Sequence, residues 1–321
     1  MAAKTEGRMR LTILGGFLGS GKTTWLRHQL HEGRFAAAHV IVNEAAEMPV
    51  DDALLGQSSR LSVLAGGCAC CAGKAAMIAL LRELCDVRSK SIDGRVDEII
   101  LETSGLADPA PIVEAIRTDP MLVHHIVVAE IIVAVDGLHG MSQLHRENLG
   151  RKQTELADHL IITKIDEANE HEIKKLLATL RQLNPGAVFS GANMGTPTSL
   201  PDFSNAVAET LAPLNGETRR PAIFPTVLDI GFDIDWTALT VWLSALLHAR
   251  GDDVLRVKGV IRTPAGRLLL QSVRKIMQSP EILPEQLDGL RDDNKLVVIG
   301  SGYVAQELAR SLQRFTNAGG D

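Results

Sequence analysis

The chain has 321 residues, 45% hydrophobic and 22% charged, the profile of a globular protein with room for two compact domains. A formal net charge of −6 and an aromatic content of 3% argue against a nucleic-acid partner held by basic patches or base stacking. No apolar run reaches the roughly 18 residues of a membrane span, and MAAKTEGRMR leads straight into a strand with no room for a signal peptide, so a cytoplasmic location without a membrane partner is expected.

Short β-rich runs alternate with helical patterns through the first two-thirds of the chain. Strands are expected at 11–14, 39–42, 61–64, 98–101, 126–135, 159–162 and 187–189, and helices at 23–31, 74–85, 110–118 and 167–183. Apolar strands that do not alternate, each followed by a helix, imply a mainly parallel sheet covered on both faces. Near Gly195 the pattern breaks, and Pro197, Pro201, Pro213, Asn215, Gly216 and Pro221 mark a linker up to about residue 222. Beyond it the order is strand (223–230), helix (236–249), strand (254–261), strand (267–273), strand (296–299) and helix (303–315). The expected organisation is α/β: a P-loop domain over residues 1–215, then a smaller, roughly ferredoxin-like α+β domain over 222–321.

The phosphate loop is the most specific motif. Gly16-Phe-Leu-Gly19-Ser20-Gly21-Lys22-Thr23 matches GxxxxGK[ST], with a strand before it and a helix after it. Its glycines let backbone N–H groups cradle phosphate oxygens beside a helix N-terminus. Lys22 is expected on the β- and γ-phosphates and the Thr23 hydroxyl on Mg²⁺.

After the strand at 159–162 comes Thr163-Lys164-Ile165-Asp166, similar to the [NT]KxD guanine motif of GTPases. An Asp there accepts from guanine N1–H and the 2-amino group together, which adenine does not offer, while the lysine stem packs along the base. The same tetrapeptide also suits an N-cap role for Asp166. The strand at 98–101 ends in Glu102-Thr-Ser-Gly105, placing an acid where a Mg²⁺-linked carboxylate is expected and a glycine whose N–H can sense the γ-phosphate. A capping pair for the next helix is the plainer alternative. Leu106 stands where Ras-like proteins carry a water-positioning Gln, so slow intrinsic hydrolysis is expected.

Three of the four cysteines, Cys68, Cys70 and Cys71, fall within four residues. Clustered thiols in a reducing compartment read as metal-binding or redox-active. Thiolates select zinc, cobalt or copper(I), and three of them leave a tetrahedral ion one ligand short, which suits transfer better than permanent structure. Three buried small residues at a helix start are the alternative. Cys85 closes an apolar helical pattern and is expected in the core. His124-His125 is read as an exposed pair before a strand, and Trp236 and Trp242 as packing on the second domain's sheet.

GGFLGSGKTT, VNEAAEMPVDD, GGCACC, LETSGLADPAP, TKID and LRVKGVI occur in one order across nearly the whole chain. Together they resemble the CobW-type GTPases, GTP-dependent metallochaperones that include the zinc-regulated metalloprotein activators. The resemblance implies Mg²⁺-dependent GTP hydrolysis coupled to delivery of Zn²⁺ or Co²⁺ to a client metalloprotein, and it allows a homodimer. It assigns Gly19, Ser20, Gly21, Lys22, Thr23 and Thr24 to the phosphates and Mg²⁺, Glu102 and Gly105 to the ExxG element, Lys164 and Asp166 to guanine, and Cys68, Cys70 and Cys71 to the metal. Asn43-Glu44 matches the start of the first switch, but the usual NEFGE is NEAAE here, leaving Glu44, Glu47 and Asp51 as candidate metal ligands or water-orienting acids. The His-rich stretch of some members is absent. A small-molecule kinase or ATPase is disfavoured by TKID and the thiols. A regulatory zinc-sensing module without metal transfer remains the alternative function.

Overall fold

The computed structural model describes residues 7–43, 61–64, 69, 73–90, 96–214, 224–231, 234–251, 253–263, 266–278, 280–283 and 294–317. The chain divides into two compact units, Met1–Thr218 and Arg219–Asp321.

In the first unit β1 (Met9–Gly16), α1 (Lys22–His31), β2 (His39–Asn43), β3 (Leu61–Leu64), α2 (Lys74–Lys90) and β4 (Glu98–Glu102) come first. They are followed by α3 (Pro109–Thr118), α4 (Leu122–His125), β5 (Ile126–Asp136), α5 (Gly140–Arg146), α6 (Asn148–Leu156) and β6 (His159–Thr163). A 3-10 turn at Ile165–Glu167, α7 (Glu170–Leu183), β7 (Val188–Asn193) and β8 (Thr196–Thr198) complete it. The eight strands form one sheet in the order β3-β2-β4-β1-β5-β6-β7-β8. Every pairing is parallel except β7 with the short β8.

β1 and β5 are almost continuously buried, because helices cover both faces and each side of the pleat needs apolar side chains. Two helices start where the chain supplies a cap. Asp108 accepts from the Ala110 amide ahead of Pro109 at the first position of α3, and Asn169 accepts from the His171 amide at the start of α7.

The main departures from expectation lie in the connections. The single helix expected at 167–183 is a 3-10 turn followed by α7, and α5 and α6 fill a stretch with no expected elements. The punctuated stretch read as a linker is docked as far as Leu214. The Glu209 amide donates to Thr179 Oγ1 at 2.8 Å, its carboxylate meets Lys175 and His145, and Arg151 Nη2 donates to the Ala212 carbonyl at 2.8 Å. An ion pair and hydrogen bonds to α5, α6 and α7 thus order proline-broken chain that has no regular element of its own.

The second unit holds β9 (Phe224–Asp229), α8 (Trp236–Arg250), β10 (Val254–Thr263), β11 (Gly266–Val273), β12 (Ile276–Met277), β13 (Glu281–Leu283), β14 (Lys295–Gly300) and α9 (Ala305–Asn317). Its antiparallel sheet runs β12-β11-β10-β14-β9, with β13 also pairing β11. β14 lies between β9 and β10, so the expected split βαβ is present. The second helix follows the last strand, as in the expected element order. Trp242 is buried in this core, and its Nε1–H donates to Ser311 Oγ at 3.1 Å, tying α8 to α9. Trp236 packs at the edge of the same core.

Candidate functional site

The site grows from the carboxyl edge of the parallel sheet, where β1, β2, β4, β5 and β6 all end, the usual place for ligands in such sheets. β1 closes on Gly16, whose φ is +136°. A Cβ there would fall 2.4 Å from the Ala134 carbonyl and 2.7 Å from Ser20 Oγ, so only glycine lets the loop leave the strand at this angle. Gly21 adopts the left-handed conformation and hands the chain to α1. Lys22 Nζ donates to the Gly16 and Phe17 carbonyls at 2.9 and 3.0 Å, holding the loop in an arc. Ser20 is buried, and its hydroxyl has no hydrogen-bond partner among the described residues. The arc, the glycines and a buried hydroxyl awaiting a partner fit a phosphate group. Thr24 lies on the exposed side of the first turn of α1.

Two residues from distant parts of the sequence meet beside this loop. Glu102, buried at the end of β4, accepts a 2.5 Å hydrogen bond from Thr23 Oγ1. A hydroxyl and a carboxylate side by side form a hard oxygen donor pair, the chemistry Mg²⁺ requires. The chain after Glu102 stays close, because Thr103 bonds the Leu14 carbonyl through both its amide and its hydroxyl. A Cβ on Gly105 would sit 2.6 Å from the Leu18 amide nitrogen and 2.8 Å from its Cα. Gly105 therefore lies against the phosphate-loop backbone, and no other residue fits without displacing it. Asp108, the residue after Ala107, caps α3.

The Thr163–Asp166 segment is joined to the same loop. Thr163 Oγ1 lies 2.9 Å from the Ser20 carbonyl. Lys164 is left-handed, with φ 53°, and its Nζ lies 2.6 Å from Asp136 Oδ2. Asp166 follows on the 3-10 turn, exposed. Asn169 takes the capping role open to Asp166, and the Asp166 carboxylate meets no donor among the described residues.

Asp136 was not among the residues singled out from the sequence. It ends β5, buried, and its Oδ1 accepts from the Leu138 and His139 amides at 2.9 and 3.0 Å. Burial opposes its ionisation, but the Lys164 hydrogen bond and charge and the two amides outweigh that and hold the carboxyl below its usual range. The sequence signal was an acid closing a long apolar strand just before a glycine.

The cysteines Cys68, Cys70 and Cys71 and the acids Glu44, Glu47 and Asp51 lie outside the described residues. Ala69 is described: it is fully buried, and its amide donates to Asn43 Oδ1 at 2.8 Å. Among the described residues no cluster of three or more His, Cys, Asp or Glu side chains can hold a metal. Cys85 is buried in the core and its thiol is pushed up to about 11, chiefly by burial. His124 and His125 are exposed at the end of α4, not in an open loop. No helix among the described residues is long and apolar enough to cross a membrane.

Comparisons with known proteins agree with this architecture. The zinc chaperone YjiA of Escherichia coli is 30% identical over 83% of this chain and 86% of its own. The zinc chaperone CobW of Pseudomonas aeruginosa is 29% identical over 97% and 92%, and the zinc-regulated GTPase metalloprotein activator 1 of Saccharomyces cerevisiae 26% identical over 96% and 83%. The crystal structure of Zn(II)-bound YjiA GTPase from E. coli superposes with a TM-score of 0.59 over 96% of this chain and 99% of that one, at 23% identity, and so shares the fold. The family model described as CobW/HypB/UreG, nucleotide-binding domain, matches residues 10–190, and that of the cobalamin synthesis protein cobW C-terminal domain matches residues 226–316. The chain belongs to the CobW family of P-loop proteins.

Proposed function

We propose that the chain is a GTP-hydrolysing metallochaperone that binds Zn²⁺ or Co²⁺ through the Cys68-Ala69-Cys70-Cys71 loop and passes it to a client metalloprotein. The observation that carries this reading is the meeting at one sheet edge of the phosphate loop, the Thr23–Glu102 pair and the Thr163–Asp166 segment. Names of relatives in a bacterium and a yeast, zinc chaperone and zinc-regulated GTPase metalloprotein activator, support the cargo. In this reading residues 1–215 form the GTPase domain, residues 222–321 the C-terminal domain, and the protein works in the cytoplasm.

Each residue has a role its position suits. Lys22 trades the Gly16 and Phe17 carbonyls for the β- and γ-phosphates, with amides of Gly19 to Thr24 on the remaining oxygens. Thr23 and Glu102 hold Mg²⁺, which when bound neutralises charge on the phosphates. Gly105, pressed on Leu18, carries the state of the γ-phosphate to the loop after β4. Asp166 reads guanine and Lys164 lines the base. Asn43, at the end of β2, anchors Ala69 between the metal-binding thiols and links the first switch to the cargo loop.

The test is a titration with Zn²⁺ or Co²⁺ in the presence of a non-hydrolysable GTP analogue, of GDP, and without nucleotide. It uses the wild type and a Cys70→Ser, Cys71→Ser double variant. About one equivalent is expected, with affinity set by the nucleotide and lost in the double variant. Equal affinity in all three states removes the chaperone mechanism, and unchanged binding in the double variant removes the thiol loop as the site.

A further inference from the structure

Lys164 and Asp136 form a pair that the phosphate and base motifs do not account for. Asp136 is the last residue of β5 and lies in register with Thr163, the last of β6. Its two carboxylate oxygens do different work. Oδ1 accepts from two successive amides, Leu138 and His139, and so caps the turn after β5. That arrangement leaves Oδ2 directed across the sheet edge, 2.6 Å from Lys164 Nζ. The Asp136 side chain is almost wholly buried, whereas that of Lys164 is about one-third exposed.

Lys164 itself is unusual. It is one of four non-glycine residues with positive φ among the described residues. A long side chain enters the left-handed region at a cost, and keeps it only where its surroundings enforce it. Two contacts do so here. The Lys164 ammonium is bound to Asp136, and the Thr163 carbonyl just before it accepts from the Gly137 amide at 2.9 Å. A Cβ on Gly137 would fall 2.6 Å from that carbonyl, so the β5 turn and the β6 turn touch through backbone. The left-handed step at Lys164 sends the chain into the 3-10 turn that carries the exposed Asp166 two residues on.

We infer that Asp136 is a positioning residue for guanine recognition: it anchors Lys164 so that the lysine stem lies fixed beside the base and Asp166 is presented to its Watson–Crick edge. The inference rests on the guanine reading of the Thr163–Asp166 segment. Asp136 touches no nucleotide in it and acts only through Lys164. Without the anchor the lysine loses its fixed course, the left-handed step relaxes, and the carboxylate of Asp166 loses its aim. A residue that only capped the turn after β5 would give none of this, because its amide contacts do not require a charge.

The test separates the two roles of the side chain. Asp136→Asn keeps an acceptor for the Leu138 and His139 amides and removes the charge facing Lys164. Asp136→Ser, a shorter cap, is the second variant should the first fold poorly. Binding of GTP, GDP, ITP and ATP is measured for wild type and variants, with thermal unfolding as the control. The expected result is a wild-type preference for GTP over ATP that shrinks about tenfold in Asp136→Asn, an order-of-magnitude figure for residues coupled by contact. ATP affinity moves little, and the penalty for ITP, which lacks the 2-amino group, shrinks with it. A preference retained in both variants overturns the positioning role and leaves the guanine reading intact. An equal loss for GTP and ATP, together with a lowered unfolding temperature, assigns Asp136 a purely structural role and also overturns it. A wild type without guanine preference overturns the guanine reading, and this inference with it.

Discussion

The two sheets of the molecule differ in pairing: the first is parallel apart from β8, and the second is antiparallel. In the first unit β1 and β5 are buried along nearly their whole length, with no alternation. In the second, β9 alternates, with Thr226 and Leu228 inside and Pro225, Val227 and Asp229 outside. A parallel sheet sealed on both faces has no free surface for chemistry except at its ends, and five strand ends at one edge place Gly16, Asn43, Glu102, Asp136 and Thr163 together. An antiparallel sheet with helices on one face keeps a second face, and its strand ends carry turns. The site therefore arises in the first unit from topology alone, before any particular side chain is considered.

Three measurements press on this contrast. The largest effect is expected from Lys22→Ala, which removes the charge proposed for the phosphates. GTP hydrolysis should fall by at least about 10²- to 10³-fold, as for loss of one transition-state donor, while unfolding of the second unit is unchanged. Hydrolysis at the wild-type rate would show that the sheet edge is not the catalytic centre. Next is Trp242→Ala in the second unit. It empties the space under α8 and breaks the bond to Ser311, for a loss of about 3–5 kcal/mol in stability. Nucleotide affinity should stay as it was; a parallel drop in both would mean that the units do not behave separately.

The smallest effect is on the acid side. Asp119 and Asp136, both buried, have their carboxyls held below the usual range. Burial acts against this, but the Arg82 hydrogen bond on Asp119, the Lys164 hydrogen bond on Asp136, and backbone amides on both prevail. A depressed folded-state pKa means stability present above the unfolded carboxyl value, near pH 4, and lost as the pH falls through the folded one. Unfolding of the first unit followed by circular dichroism between pH 5 and pH 2 should show that loss, and Asp136→Asn should flatten it. A stability that rises on acidification would contradict both ion pairs.

Much of this architecture was legible because the signals were strong and local. Apolar runs such as 99–101 and 160–162 mark strands whatever lies around them, and the phosphate-loop pattern carries its own strand and helix. Helices α5 and α6 were missed because their residues are mixed. α6 buries Arg151, Gln153, Thr154 and Glu155, and polar residues become core only when partners such as the Leu144 and Ala107 carbonyls are supplied by the fold. Residues 199–214 looked like a tether because prolines read as breaks, while the contacts of Glu209 with Lys175 and His145 join positions far apart in sequence. Within the site, Gly16, Lys22, Thr23, Glu102, Gly105 and Asp166 were identifiable by motif. Asp136 was not, since its meaning lies in a lysine 28 positions away.

The hydrogen bond from the Ala69 amide to Asn43 also bears on transplantation. A synthetic peptide of sequence GGCACC has the same thiols but no β2 to hold its middle, and its chain must give up its own freedom when an ion arrives. On the proposal that this loop holds the metal, affinities measured on such a peptide will underestimate those of the protein. Grafting the loop onto another scaffold will need an acceptor at the place of Asn43, at the end of a neighbouring strand, as well as the cysteines.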